Sequence, residues 1–167
     1  MTAFMDIYRF LRDHKIPYDR HDHPPVFTCD EATAAAPLIP GARTKNLFVR
    51  DEKGRHHFLV VVPPEKRVDM KGLSGKLGVK RLGFASAGRM RRYLALDPGS
   101  VTMLAVINDA DGAVEVIVDR DLWKDDAFQC HPLVNTSTLV IGREDLMRFF
   151  TATGHPPRFL DVPARSG

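Results

Sequence analysis

The strongest constraint on the fold is a pair of apolar runs that reads as a β-hairpin. Residues 46–50 and 56–62 are rich in strand-forming side chains, and the segment 51–54 between them ends in glycine, as turns often do. The second run is apolar almost without interruption, so we predict a strand buried on both faces. With 167 residues, of which 44% are hydrophobic and 27% charged, the chain can build one globular core around that strand.

Helical and strand patterns alternate irregularly along the rest of the chain, with no repeats. We predict helices that end near Lys15 or lie at 31–36, 68–77, 88–94 (capped by Ser86) and 143–151, and a helical turn at 122–125. Strands are expected at 18–23, 101–107, 114–118, 128–131 and 136–141, the second and third as a hairpin around the turn 108–112.

Adjacent hairpins and segregated helices favour the α+β class, with a single domain and a mixed, mostly antiparallel sheet flanked by helices. A doubly wound parallel sheet does not fit this order. We place the domain at residues 1–161 and expect residues 162–167 to form a loose tail.

Positive charge is concentrated in one segment although the net charge is only +3. Residues 65–92 hold nine basic side chains against two acids, so the remainder is net negative. This asymmetry is typical of a protein that docks a polyanion, and a solvated basic face is the structural alternative. The candidate nucleic-acid contacts in this segment are Lys66, Arg67, Lys71, Lys76, Lys80 and Arg81.

The cellular setting follows from the cysteines and from the apolar runs. Cys29 and Cys130 are not in a C-x-x-C pair, and we expect both to be reduced. The first 17 residues include five charged side chains, unlike a signal peptide. No run approaches the roughly 18 apolar residues that span a bilayer. We therefore expect a cytoplasmic protein without a membrane partner.

Histidine pairs raise the possibility of a metal site. His21 and His23 would share one face of a strand, whereas His56 and His57 are adjacent and point apart. No carboxylate or cysteine follows at a recognised zinc spacing, so we predict neither a metal nor another cofactor. A metal-dependent hydrolase that uses these histidines is the alternative, and chelation would silence it. Phosphate-binding loops, dinucleotide fingerprints and the G-x-S-x-G elbow are absent.

Two polar segments interrupt otherwise apolar strands. Residues 43–46 place basic side chains at the start of a strand, where one of them could lean into a pocket at the sheet end. Residues 130–138 carry Asn135, Thr136 and their neighbours in a β-rich stretch. The structural alternatives are a surface lysine and a hydrogen-bonded turn.

Five motifs, in one order and over nearly the whole chain, resemble the YbaK/ProX family of aminoacyl-tRNA deacylases. They begin at Thr44-Lys-Asn-Leu-Phe, Gly99-Ser-Val-Thr, Ile107-Asn-Asp-Ala-Asp, His131-Pro-Leu-Val-Asn-Thr and Gly154-His-Pro-Pro. The resemblance implies the family's fold and hydrolysis of the ester of mischarged tRNA. It is greatest to the freestanding members that remove alanine from proline tRNA. The implied partners are that tRNA and, as a further candidate, prolyl-tRNA synthetase.

The same resemblance implies roles for individual residues. The essential lysine of the family falls on Lys45, and the implied substrate-binding residues are Asn46, Gly99, Ser100, His131, Asn135 and Thr136. Met103 stands where the family commonly has proline, so we expect Met103→Pro to change the preference between alanine and proline more than the stability.

The residues themselves make this chemistry plausible. An aminoacyl ester is already activated, so an enzyme mainly has to position water and stabilise negative charge. A lysine about 4 Å from an oxyanion contributes roughly 4 kcal/mol at an effective dielectric near 20. Cys130 and His131 are adjacent on a strand and point apart, which disfavours covalent cysteine catalysis. A tRNA- or synthetase-binding module without catalysis is the other alternative.

Overall fold

A computed structural model describes residues 6–23, 39–134 and 136–165. The strands are β1 Asp19–Asp22, β2 Lys45–Asp51, β3 His57–Val62, β4 Leu82–Phe84, β5 Val114–Asp119, β6 Ala127–Cys130, β7 Ser137–Gly142 and β8 Arg158–Leu160. The helices are α1 Ile7–Asp13, α2 Met70–Leu77, α3 Ala87–Leu94 and α4 Arg143–Thr153, with 3₁₀ turns at Met103–Asn108 and Leu122–Lys124. The helix predicted at 31–36 lies outside the described residues. None of the described helices is long and apolar enough to cross a membrane.

The strands form two sheets, of five strands in the order β4-β2-β3-β5-β8 and of three in the order β1-β7-β6. The predicted hairpin is confirmed, since β2 and β3 are antiparallel with Lys45 opposite Val62. All six residues of β3 are buried, as its uninterrupted apolar sequence requires. β5 and β8 continue the larger sheet in parallel, and the smaller sheet is antiparallel. The predicted α+β class with mixed sheets is therefore confirmed.

The second predicted hairpin is wrong. Residues 103–108 form a 3₁₀ helix rather than a strand, because the Thr102 hydroxyl accepts from the Leu104 amide and caps the turn. β5 pairs in parallel with β3 instead of returning along the preceding segment. The apolar run at 101–107 reflects burial in the core, and burial alone does not distinguish a short strand from a short helix.

Local capping explains where the helices begin and end. Asp69 accepts from the Gly72 amide at the start of α2, and Ser86 accepts from the Arg89 amide at the start of α3, as predicted for Ser86. α4 ends at Gly154, whose φ of +79° is the left-handed conformation that glycine adopts without strain. These caps fix the ends of helices that are too short to be stable alone.

The core is divided between the two faces of the larger sheet. Side chains alternate along β2, so Phe48 packs in the cluster with the 3₁₀ helix and α4, while Val49 packs in the cluster with α2. Leu59 and Val60 alternate in the same way on β3. The structure therefore covers the central hairpin on both faces.

The segment after β8 is attached to the body of the protein. Val162 is 3% exposed, Pro163 accepts a backbone hydrogen bond from Asp69 at 2.8 Å, and Arg165 donates one to Arg67 at 2.7 Å. The tail expected to be loose is thus hydrogen-bonded over its four described residues, 162–165. The segment is held because its backbone pairs with the backbone of residues 67–69.

A buried hydrogen bond between a histidine and a carboxylate links the turn before β5 to the segment after α4. His155 Nε2 lies 2.9 Å from Asp109 Oδ2, and both side chains are almost fully buried. Asp109 also accepts from the amides of Ala113 and Val114. Burial would raise the pKa of Asp109, but the hydrogen bonds from His155 and the two amides hold that pKa below its ordinary value.

We predict that Asp109→Ala lowers the free energy of unfolding by about 3 kcal/mol, because it leaves a buried histidine and two amides without an acceptor. Urea unfolding at pH 7 measures the loss. Since the pKa of Asp109 is depressed in the fold, its contribution is complete above the ordinary value of 3.8 and is lost as the pH falls through the folded value. Asp111→Ala in the same turn is the exposed control, and an equal loss in that control would contradict the prediction.

Met103 gives a second prediction, which replaces the expectation from the sequence. Its side chain is 1% exposed and packs in the first core cluster. We predict that Met103→Pro costs about 2 kcal/mol or more in unfolding free energy, through lost packing. Met103→Leu, which conserves volume, should cost less than about 1.5 kcal/mol. Unchanged unfolding of the proline variant would show that Met103 does not carry core packing.

Candidate active site

Lys45 stands at the first position of β2, at the end of the larger sheet. Its side chain is half-buried, and its Nζ donates a hydrogen bond to the backbone carbonyl of Lys66. Within the described part of the chain no carboxylate forms an ion pair with Lys45. The side chain is therefore held in place by a neutral group, and no carboxylate among the described residues neutralises it.

The carbonyl that holds Lys45 is itself fixed by a buried ion pair. Lys66 Nζ lies 2.6 Å from Asp119 Oδ2, 3.2 Å from Asp121 Oδ2 and 2.9 Å from the Val162 carbonyl. Asp119, at the carboxyl end of β5, is fully buried. Burial would lower the pKa of Lys66, but the hydrogen bond and charge of Asp119 outweigh it and raise that pKa. Lys66 is thus a largely buried cation that fixes the loop by its contacts to Asp119 and to the Val162 carbonyl.

Asn46 follows Lys45 and lies opposite Val61. Alternation along the strand places its side chain on the face of the first core cluster, whereas Lys45 shares the face of the second. The Asn46 Oδ1 atom is buried and, among the described residues, has no hydrogen-bond donor. Since an unsatisfied buried acceptor costs about 1–3 kcal/mol, the described residues leave the hydrogen-bonding capacity of this atom unmet.

His131 comes directly after β6 and is connected to the 99–102 loop. Its carbonyl accepts from the Thr102 hydroxyl at 2.7 Å, and its Nδ1 lies 3.2 Å from the Ser137 carbonyl. Because a carbonyl can only accept, Nδ1 carries the proton and Nε2 is an acceptor. Burial lowers the pKa of His131, the hydrogen bond to Ser137 opposes the shift, and His23 adds to it. His131 is therefore a neutral imidazole at pH 7.

Of the remaining predicted substrate residues, Gly99 and Ser100 lie in the loop between α3 and the 3₁₀ helix, and Thr136 directly precedes β7. Gly99 has a φ of +93° in an exposed turn, which glycine tolerates, and the Ser100 amide donates to the Asp97 carbonyl. Thr136 is exposed, and its carbonyl accepts from the His23 amide. Asn135 lies outside the described residues. The loop after Gly99 is thus joined to His131 through Thr102, as one unit.

The environments of Cys130 and of the pair His56 and His57 do not favour a catalytic or metal-binding role. Cys130 is buried, and burial raises its pKa to about 12, so its thiol is protonated at neutral pH. His57 is buried, and its Nε2 lies 3.0 Å from Arg89 Nη1. His56 is exposed at the other side of the strand. The described residues include no group of three His, Cys, Asp or Glu that could hold a metal ion.

The six predicted tRNA contacts separate into two groups. Lys66 is the largely buried cation that pairs with Asp119, and its side chain is only 15% exposed. The other five are exposed: Arg67, Lys71, Lys76, Lys80 and Arg81. Lys80 and Arg81 each lie within 4 Å of Glu52, and Lys76 donates to the Asp161 carbonyl. These surface interactions are weak in water and leave the basic groups accessible.

Hydrogen bonds join the second motif to the fourth and the third motif to the fifth, and they tie the first motif to β6. Thr44 donates to the Gln129 carbonyl in β6, the Thr102 hydroxyl donates to the His131 carbonyl, and Asp109 is hydrogen-bonded to His155. Sequence reasoning missed the Lys66–Asp119 pair. The available signal was an aspartate directly after the buried apolar run of β5, since a charge at that place requires a partner.

Comparison with known proteins finds a matching family and relatives of nearly the same length. The aminoacyl-tRNA editing domain family matches residues 23–149. A relative from Acetoanaerobium sticklandii named "Prolyl-tRNA editing protein ProX" is 37% identical over 162 residues, which cover 97% of this chain and 99% of the relative. A relative from Danio rerio named "Prolyl-tRNA synthetase associated domain-containing protein 1" is 34% identical over 157 residues, covering 93% and 85%.

Solved structures share the fold at lower identity. The hypothetical protein APE2540 has a TM-score of 0.75 and 20% identity, and the match covers 95% of this chain and 99% of that one. A candidate trans-editing enzyme for prolyl tRNA synthetase has a TM-score of 0.72 and 18% identity, over 99% and 100% of the two chains. The family match extends over most of the chain and the first relative covers nearly all of it, so this protein belongs to the aminoacyl-tRNA editing domain family.

Proposed function

We propose that this protein is a trans-acting aminoacyl-tRNA deacylase that hydrolyses the ester of mischarged tRNA, with alanine on proline tRNA as its substrate. The observation that carries the proposal is the Lys45 ammonium, held at the sheet end by the Lys66 carbonyl and without a carboxylate partner among the described residues. A cation fixed in this way can stabilise an oxyanion without first rearranging.

The relatives support the same activity. The Acetoanaerobium sticklandii relative is named a prolyl-tRNA editing protein, and the similarity extends over nearly the full length of both chains. The Danio rerio relative is named for an association with prolyl-tRNA synthetase. We propose the synthetase as a further partner and, because tRNA charging is cytoplasmic, the cytoplasm as the location.

The reaction requires few groups. Water attacks the ester carbonyl carbon, the carbonyl oxygen becomes an oxyanion beside Lys45, and the bond to the ribose oxygen breaks as that oxygen receives the proton from water. The products are the free amino acid and uncharged tRNA. No metal enters this scheme, and the buried Cys130 thiol has no part in it.

Neighbouring groups are suited to holding the amino acid. The unsatisfied Asn46 Oδ1 can accept a hydrogen bond from the substrate's α-ammonium group, and the neutral His131 offers Nε2 as a second acceptor. Lys45 and Asn46 lie on opposite faces of β2 at its first two positions, so the ester would lie across the end of the strand. We retain Gly99, Ser100, Asn135 and Thr136 as proposed substrate contacts.

We predict that Lys45→Ala lowers the turnover number for alanyl-tRNA of the proline type by about 10²- to 10³-fold, because the group that stabilises the oxyanion is removed. The measurement is single-turnover release of radiolabelled alanine. Unfolding in urea should change little, since Lys45 contributes one half-buried hydrogen bond.

Lys53→Ala is the matched control for Lys45→Ala, because Lys53 is exposed in the turn between β2 and β3 and is not among the proposed site residues. Near-normal turnover in a folded Lys45→Ala protein would overturn the assignment. Affinity for uncharged tRNA should be unchanged by Lys45→Ala. A loss of tRNA affinity that alone accounts for the activity loss would instead favour a binding module without catalysis.

The proposed specificity predicts unequal rates on two substrates. Alanyl-tRNA of the proline type should be hydrolysed at least tenfold faster than correctly charged prolyl-tRNA, because a pocket sized for alanine excludes larger side chains and each methylene is worth about 1–3 kcal/mol. The measurement compares kcat/KM for both substrates after subtraction of uncatalysed hydrolysis. Equal values would contradict an editing role.

A further inference from the structure

A cavity of about 460 Å³ lies beside the carbonyl that holds Lys45. Its walls come from the loop after β3 and from the C-terminal segment, and they consist of Pro63, Glu65, Lys66, Arg67, Ala164 and Arg165. The two segments are joined by the backbone bond from Arg165 to Arg67 and by a bridge between Val68 and Ala164. The cavity is therefore part of the folded edge, and its volume is in the range of ligand sites.

The lining of this cavity is basic. The ammonium of Lys66 is neutralised by Asp119 and Asp121, so it adds little field. Arg67 and Arg165 are exposed, and among residues 6–23, 39–134 and 136–165 neither guanidinium has a hydrogen bond or an ion pair. Glu65 is the one acid on the wall. Two available guanidiniums in one cavity favour an anionic ligand.

We propose that this cavity binds a phosphodiester of the single-stranded 3′ end of tRNA, with Arg67 and Arg165 as its contacts. Guanidinium groups match phosphate geometry through paired N–H donors. The wall residue Lys66 touches Lys45 directly, so a phosphate held here would lie near the reacting ester. The assignment rests on the proposed function, because the ligand is the tRNA end whose ester Lys45 would act on.

The binding test does not depend on catalysis. Uncharged proline tRNA is titrated by fluorescence anisotropy at several salt concentrations against the native protein and the double variant Arg67→Ala/Arg165→Ala. We expect weaker binding and a salt dependence of log K that is smaller by about 1 to 2 units of slope, one for each lost phosphate contact. Arg12→Ala, at an exposed position on α1 outside the cavity, is the control and should match the native protein.

A second titration uses the same tRNA without its 3′ CCA. The native protein and the double variant should bind this shortened tRNA equally, because the contacted phosphate is gone. Arg67→Lys/Arg165→Lys should restore part of the salt dependence, since it keeps the charge but not the planar fork. Unchanged binding of full-length tRNA by the alanine double variant would overturn the proposal. An equal loss with the shortened tRNA would also overturn it, because the arginines would then contact another part.

Kinetics separate this inference from the proposed function. The alanine double variant should raise KM for alanyl-tRNA and leave kcat within about twofold, because the arginines hold the substrate rather than the reacting atoms. If the native protein binds tRNA through these arginines but does not hydrolyse the ester, the deacylase proposal is wrong and the phosphate-site proposal stands. If the double variant hydrolyses the ester with an unchanged KM, the phosphate-site proposal is wrong and the deacylase proposal stands.

Discussion

The buried ion pair between Lys66 and Asp119 organises the end of the larger sheet at which Lys45 lies. Parallel pairing of β3 and β5 brings their carboxyl ends to one edge, where Asp119 meets the loop that follows β3. A fully buried carboxylate needs a charged partner, and Lys66 supplies it at 2.6 Å. The same ammonium bonds the Val162 carbonyl, so the pair also fastens the C-terminal segment. Breaking such a pair would leave an uncompensated buried charge, so the pair favours the loop position in which the Lys66 carbonyl accepts from Lys45.

Polar side chains connect the loops that border the site. Thr102 bonds the carbonyl of His131, and the Asp109–His155 pair joins the end of the 3₁₀ helix to the turn after α4. Each of these contacts links parts of the chain that are distant in sequence. Because the polar groups are buried and satisfied, they fix the loops at low cost, whereas the buried Asn46 Oδ1 has no hydrogen-bond donor among the described residues.

Charge on this protein serves two purposes. Lys66 lies in the basic segment but is a structural cation, whereas Arg67, directly beside it, is exposed at the cavity wall. Counting basic residues does not separate these roles, because the partner of Lys66 comes from β5. The positive face is thus smaller than the charge pattern indicates, and it includes Arg165, which lies far away in the sequence.

The sequence by itself determined the central hairpin, the cap at Ser86, the α+β class and the family resemblance, because these depend on local periodicity and on motif order. It also pointed to Lys45 at the start of β2. Tertiary structure decided that residues 103–108 form a 3₁₀ helix and that β5 pairs with β3. Both segments are buried, and a buried segment is apolar whether its backbone is a strand or a helix, so the apolar pattern does not distinguish the two. It alone decided the Lys66–Asp119 pair and the cavity between Arg67 and Arg165. Long-range contacts depend on which strands meet, and one sequence read locally does not contain that pairing.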